Sequence, residues 1–265
     1  MGTWVSAFAQ VPLVTTMHGT DIRMLRSVSM LRPLARRVFE QSQAVTTVSR
    51  WLAEEGRRFM KPRIPLVAPM PVATELFTPG GTREANRLVF VGRLNAQKGI
   101  EYAIRAIAAM HVPAVLDVIG TGPALEDYRA LARTLGVDDR ILFHGQVIQP
   151  KLPPFFRRAA AVVVPSIEEG LGLVAVEAQL CETPVVAFAS GGITDVVQHG
   201  RTGILTPPKD VAALASALDE LLSAPASATE LGRAGRLHAL ATFAPESVAR
   251  RYTDIYTDVL RRSAA

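Results

Sequence analysis

Short apolar runs alternate along this chain with segments whose apolar positions recur every three or four residues. That is the pattern of a parallel sheet covered by helices. In the front part, residues 12–17, 44–48 and 64–67 predict strands, and 22–41 and 49–59 predict helices. Leu25, Val28, Leu31, Ala35 and Val38 give the first helix its apolar stripe, and Pro33 marks a break in it. The Pro-rich stretch 69–79, closed by Gly80-Gly81-Thr82, reads as a linker. A longer series begins at Arg87, with strands at 88–91, 114–119, 141–143, 161–164, 185–188 and 203–205. Helices fit between them at 99–110, 123–135, 152–159, 173–181 and 211–223, and two more follow at 227–240 and 246–262. The second series is by itself a full doubly wound domain, whereas the front offers three strands where such a sheet needs about five.

Composition narrows this picture. Apolar residues make up 49% of the chain and charged residues 20%, which is globular and not disordered. No apolar run reaches membrane-spanning length. Met1-Gly2-Thr3-Trp4 lacks the charged start and apolar core of a secretory leader. The one cysteine, Cys181, excludes an intrachain disulfide and fits a reducing compartment, so a cytoplasmic protein is expected. The net charge of +5 is uneven: residues 1–86 hold 11 basic and 6 acidic side chains, and the remainder hold 18 of each. Arg23, Arg26, Arg32, Arg36 and Arg37 concentrate the excess. Two readings stand: a solvated basic face, or peripheral contact of residues 22–63 with anionic lipid on the inner face of a membrane or with an anionic acceptor. Almost no aromatics are interleaved with the patch, which argues against nucleic acid.

The chemistry-bearing residues cluster at strand ends. Glu169 and Glu177 stand eight positions apart around Gly170-Leu171-Gly172-Leu173, a Gly-x-Gly turn opening an apolar helix. A helix start offers unpaired N–H groups and partial positive charge, which suit phosphate, while flanking carboxylates suit sugar hydroxyls. Arg93 and Lys98 follow the strand 88–91, where two cations could neutralise a diphosphate. Gly120-Thr121-Gly122-Pro123 is another strand-to-helix turn, equally readable as structure or ligand contact, and Leu125 breaks any dinucleotide fingerprint. His18, in His18-Gly19-Thr20-Asp21, follows the first strand and could face a sugar hydroxyl or be structural. Ser190-Gly191-Gly192 can bring backbone close to a ligand or simply turn. The five histidines show no metal-ligand spacing and no Asp-x-Asp occurs, so no metal is expected.

Together these segments resemble the family 4 (group 1) retaining glycosyltransferases of GT-B fold. The likeness runs through Val14-Thr15-Thr16-Met17-His18-Gly19-Thr20-Asp21, Gly92-Arg93 to Lys98-Gly99, Ile119-Gly120-Thr121-Gly122-Pro123, Phe143-His144-Gly145 and Thr183-Pro184-Val185. Its most specific part is Glu169 to Glu177, which matches the family's Glu-x7-Glu pattern. The resemblance implies an α/β chain with a complete C-terminal doubly wound donor domain at 81–242. It also implies an incomplete N-terminal α/β domain and linker at 1–80, and a last helix, 243–265, crossing back to it. It implies sugar transfer from a UDP- or GDP-linked donor with retention of configuration, no further cofactor, and a lipid-linked or glycan acceptor in cell-envelope synthesis. Arg93 and Lys98 would hold the diphosphate, Glu169 the sugar and Glu177 the ribose. The Gly120 turn and the backbone of Gly170, Leu171, Gly172 and Leu173 would approach sugar and phosphate, and His18 would face the transferred sugar. Leu171 replaces the usual Phe, Glu182 a common Gly, and Thr194-Asp195 a common Pro-Glu. Only 17 residues precede His18, so the resemblance implies a chain lacking the start of its first domain. A non-catalytic or partner-completed nucleotide-sugar-binding protein, and a related phosphorylase or epimerase, are the alternatives.

Overall fold

The computed structural model describes residues 2–60 and 64–264; residues 61–63, at the end of the basic segment 22–63, lie outside the described residues, as do 1 and 265. The chain divides into two units, residues 1–71 with 242–265, and residues 72–241.

In the first unit α1 (Gly2–Ala9) precedes β1 (Val14–Met17), and α2 (Thr20–Ser27) and α3 (Arg32–Gln41) lead to β2 (Ala44–Thr47). α4 (Arg50–Arg57) then leads to β3 (Leu66–Val67), and the three strands form a parallel sheet in the order β1-β2-β3. All four residues of the central strand are buried, and Met17, Ile22, Leu25, Phe39 and Leu52 pack the core beside it. Ser49 starts α4 by accepting a hydrogen bond from the Leu52 N–H at 3.2 Å.

Two features of this unit differ from the sequence pattern. α1 was not expected. The single helix expected over 22–41 is two, parted at Val28 and by a 3-10 turn at Ser29–Leu31. Pro33 does not make the break. It sits in the first turn of α3, where its missing N–H would have had no partner.

The second unit runs β4 (Glu84–Val91), α5 (Ile100–Ala109), β5 (Val115–Ile119), α6 (Leu125–Thr134), β6 (Ile141–Gly145) and α7 (Pro153–Arg158). It continues with β7 (Ala159–Val164), α8 (Leu173–Leu180), β8 (Val185–Phe188), α9 (Ile193–Val196), β9 (Ile204–Thr206) and α10 (Val211–Ser223). α11 (Pro225–Phe243) follows, and α12 (Pro245–Ala264) is part of the first unit. All strand pairs are parallel, in the order β6-β5-β4-β7-β8-β9. Leu88, Phe90, Leu116, Val118, Val163 and Phe188 face one side of the sheet and pack with Ile104, Ile107, Ala132, Leu214 and Leu218 of α5, α6 and α10. The order doubles back between β4 and β7, and in open parallel sheets ligands bind beyond the strand ends at such a point. No helix among the described residues is long and apolar enough to cross a membrane.

Candidate functional site

The loops leaving β4 and β7 are stitched together at that reversal. After β4, Asn95 accepts a hydrogen bond from the Lys98 N–H at 3.1 Å and shapes a 3-10 turn, Ala96–Lys98. Gly99 then takes a left-handed φ of 68°, and a Cβ there would lie 1.9 Å from the Pro165 carbonyl oxygen. Ile167 N–H donates to the Gln97 carbonyl at 2.9 Å, and the Gln97 side-chain amide donates to the Glu168 carbonyl at 2.8 Å. This stitching brings Lys98 Nζ to 2.7 Å from Glu169 Oε2, an ion pair that is only partly buried. Arg93, from the same loop, is exposed and has no carboxylate partner among the described residues.

The Glu169 loop is held from its other side as well. Gly192 N–H donates to the Glu169 carbonyl at 2.7 Å, and Ser190 Oγ donates to the Ile167 carbonyl. Gly191 has φ 61°, and a Cβ on it would sit 2.2 Å from the Glu169 carbonyl oxygen. The Ser190-Gly191-Gly192 turn thus approaches protein backbone. The Gly120-Thr121-Gly122 turn does the same: Cβ atoms at 120 and 122 would meet the Gly92 and Leu94 carbonyls at 1.9 and 2.2 Å. These close approaches account for the glycines without a ligand.

From Glu169 the chain passes through Gly170 and buried Leu171 to Gly172, which enters α8 at φ 98°. No side chain caps the start of α8, at Leu173. Such an end presents backbone N–H groups and the positive end of the helix dipole. One turn on, Glu177 is 5% exposed. Its Oε1 accepts a hydrogen bond from the Gln149 side-chain amide at 2.7 Å. Sequence reasoning missed Gln149; its position just beyond the end of β6, at the same edge of the sheet, was the available signal.

Burial pushes the Glu177 carboxyl above the usual carboxylate range, and the Gln149 hydrogen bond opposes that. A carboxyl raised in the fold keeps its proton when the unfolded chain has lost it. Stability therefore falls as pH rises from the unfolded value through the folded one, and the loss is complete above it. Glu177→Gln is accordingly expected to raise the thermal midpoint at neutral pH. The gain should vanish as pH drops below the unfolded carboxylate range. Calorimetric scans across that range check this, and a gain independent of pH would assign the effect to packing instead of charge.

Deeper in the sheet, buried Asp117 accepts from Arg158 at 2.8 Å and pairs with His144 Nε2 at 2.6 Å, while Arg158 lies over the Phe155 ring at 4.6 Å. A buried carboxylate needs such partners, and this network was not legible from sequence. Burial pushes the Cys181 thiol up to about 12, which makes it inert as a nucleophile. His18 belongs to the first unit. Its turn is shaped by Asp21, whose carboxylate accepts from the backbone N–H groups of His18 at 2.9 Å and Gly19 at 2.8 Å. Gly19 takes φ 114° there, and the His18 ring is exposed.

Lys98, Glu169, the α8 start and Glu177 with Gln149 thus follow one another around one end of the sheet: a cation, a carboxylate, free amides and a second, buried carboxylate. That arrangement can take an anion flanked by hydroxyl groups.

Residues 74–238 match the family described as Glycosyl transferases group 1. The chain is 31% identical over 268 residues to N-acetyl-alpha-D-glucosaminyl L-malate synthase of Bacillus anthracis, covering 95% of this chain and 69% of that protein. It is 33% identical over 292 residues to D-inositol 3-phosphate glycosyltransferase of Acidothermus cellulolyticus, covering 96% of this chain and 64% of that one. Thus the chain spans about two thirds of the length of both relatives. Among solved structures, Anabaena HepE in complex with UDP and glucose superposes with a TM-score of 0.87 at 19% identity, covering 97% of this chain and 74% of its own. That likeness bears out the GT-B-like α/β class expected from the sequence.

Proposed function

The chain belongs to the group 1 glycosyltransferases, and from that premise we propose that its second unit binds a nucleoside-diphosphate sugar and presents the sugar for transfer with retention of anomeric configuration. The observation that carries this is the Lys98–Glu169 pair beside the uncapped start of α8, at the reversal of strand order. Lys98 and Arg93 neutralise the diphosphate, helped by the first N–H groups of α8. Glu177 accepts hydrogen bonds from the ribose hydroxyls. Glu169 accepts them from the donor sugar and holds Lys98 in place. A neighbour of the same fold crystallised with UDP and glucose supports a uridine donor.

In the proposed reaction the bond between the anomeric carbon and the departing phosphate oxygen breaks. A bond from the acceptor hydroxyl oxygen forms on the same face, and the hydroxyl proton passes to that phosphate oxygen. No protein base is required. The protein's contribution is fixed positive charge where the leaving group develops negative charge.

Calorimetric titration of the chain with UDP and GDP in parallel, without added metal, tests the donor site. Binding of one nucleotide is expected. Lys98→Ala and Arg93→Ala should each weaken it by about 1.5–3 kcal/mol, the range for hydrogen bonds to charged groups. Folded protein that binds neither nucleotide, or variants of unaltered affinity, would refute the site.

A further inference from the structure

The first unit carries a corner that its own core does not use. α2 buries Ile22 and Leu25, and α3 buries Phe39. The turn between them and the adjoining helix ends leave apolar side chains in solvent: Met30 of the turn is 83% exposed and Leu34 of α3 64%, with Met24 of α2 and Val28 also exposed. Val28 was expected on the buried stripe and is not there. The corner is also firmly built. Arg32 Nε donates to the Leu25 carbonyl at 2.9 Å, its Nη2 donates to the Arg26 carbonyl at 3.2 Å, and the guanidinium lies over the Phe59 ring at 5.8 Å.

Charge completes the pattern. Residues 22–39 contain five arginines and no acidic residue. Asp21 is held by backbone N–H groups, while Glu40 pairs with Arg36 at 2.7 Å and Glu55 with Arg26 at 3.8 Å, so two of the five arginines already have a carboxylate partner. Arg23 and Arg37 are exposed and have no carboxylate partner among the described residues. Exposed methionine, leucine and valine on a segment that also carries exposed arginines match a surface that is anionic outside and apolar just beneath.

We propose that this corner is a docking site for an anionic lipid surface, with Met30 and Leu34 entering the acyl boundary and Arg23 and Arg37 lying among the headgroups. An acidic protein would match the arginines but not four projecting aliphatic side chains without an aromatic. Nucleic acid would leave those side chains unpaired. The proposal does not rest on the nucleotide site, so either can fail alone.

Co-sedimentation of the whole chain with phosphatidylcholine vesicles, with and without phosphatidylglycerol, tests it. Binding is expected only to the anionic vesicles and should weaken as salt is raised. Arg23→Gln and Arg37→Gln should each reduce it about fivefold. The double variant Met30→Glu, Leu34→Glu should reduce it on the order of tenfold or more. Both positions are exposed, so the fold should hold; the arginine variants give an independent reading if it does not. Absence of binding to anionic vesicles overturns the proposal, as does wild-type binding by these variants. Self-association that Met30→Glu abolishes would overturn it too, by assigning the corner to a second copy of the chain.

Discussion

Replacing Glu169 by glutamine is expected to lower sugar transfer by about 10²–10³-fold, the loss found when one group serving a transition state is removed. The thermal midpoint should barely change. Glu169 has two tasks in the proposed site, and glutamine serves neither well. It is a weaker acceptor for the donor sugar's hydroxyls, and it no longer fixes Lys98, whose Nζ lies 2.7 Å from Oε2. Lys98 is partly exposed, so losing its partner leaves a hydrated cation and costs little stability. The kinetic constants separate the two tasks. A ground-state contact alone would raise KM with kcat intact, whereas an interaction gained as the leaving group departs lowers kcat and kcat/KM together. Release of nucleoside diphosphate from the sugar donor gives both constants. Nucleotide affinity should fall far less in Glu169→Gln than in Lys98→Ala, because the carboxylate meets sugar and the ammonium meets phosphate. Unchanged turnover would remove Glu169 from the site.

The strands of the second unit were legible because both faces of a parallel sheet are covered. Residues such as Val162, Val163, Val185 and Val186 then form unbroken apolar runs. The Lys98 and Glu169 segments were legible for a different reason: each is a short strand-to-helix turn whose residue order carries its geometry. Where partners come from distant turns, sequence was silent. Gln149 and Glu177 are 28 residues apart, and nothing in either segment announces the other. Asp117 reads as an interruption in an apolar strand until Arg158 and His144 are placed beside it. Pro33 misled because a proline stops a helix only from its interior. Glu182 was visible as a departure from an expected glycine, and the backbone shows its cost. It takes φ 59° directly after α8, a left-handed conformation that penalises a side chain by roughly 1–2 kcal/mol.

Gly99→Ala is expected to destabilise the protein by about 2–5 kcal/mol, more than most single substitutions. Part of this comes from φ 68°, the left-handed region, at roughly 1–2 kcal/mol. The larger part comes from the Cβ itself, which would lie 1.9 Å from the Pro165 carbonyl oxygen and 2.9 Å from its carbon. No rotamer relieves an overlap between a Cβ and another segment's backbone, so the two loops must move apart, at about 1–3 kcal/mol for forced repacking. Gly136 supplies the control. It has nearly the same φ, 67°, but nothing within 4 Å of its Cβ direction. Gly136→Ala should therefore cost only the backbone term. Urea unfolding of the two variants measures the difference, which is the close approach alone. The functional consequence follows from what the loops carry. Parting them breaks the Gln97 hydrogen bonds to Ile167 and Glu168 and draws Lys98 away from Glu169. Nucleotide affinity should fall in Gly99→Ala even under conditions where the variant remains folded, and stay intact in Gly136→Ala. Equal stability losses in the two variants would mean that the loops separate freely, and the pairing of Lys98 with Glu169 would then not be built into the fold.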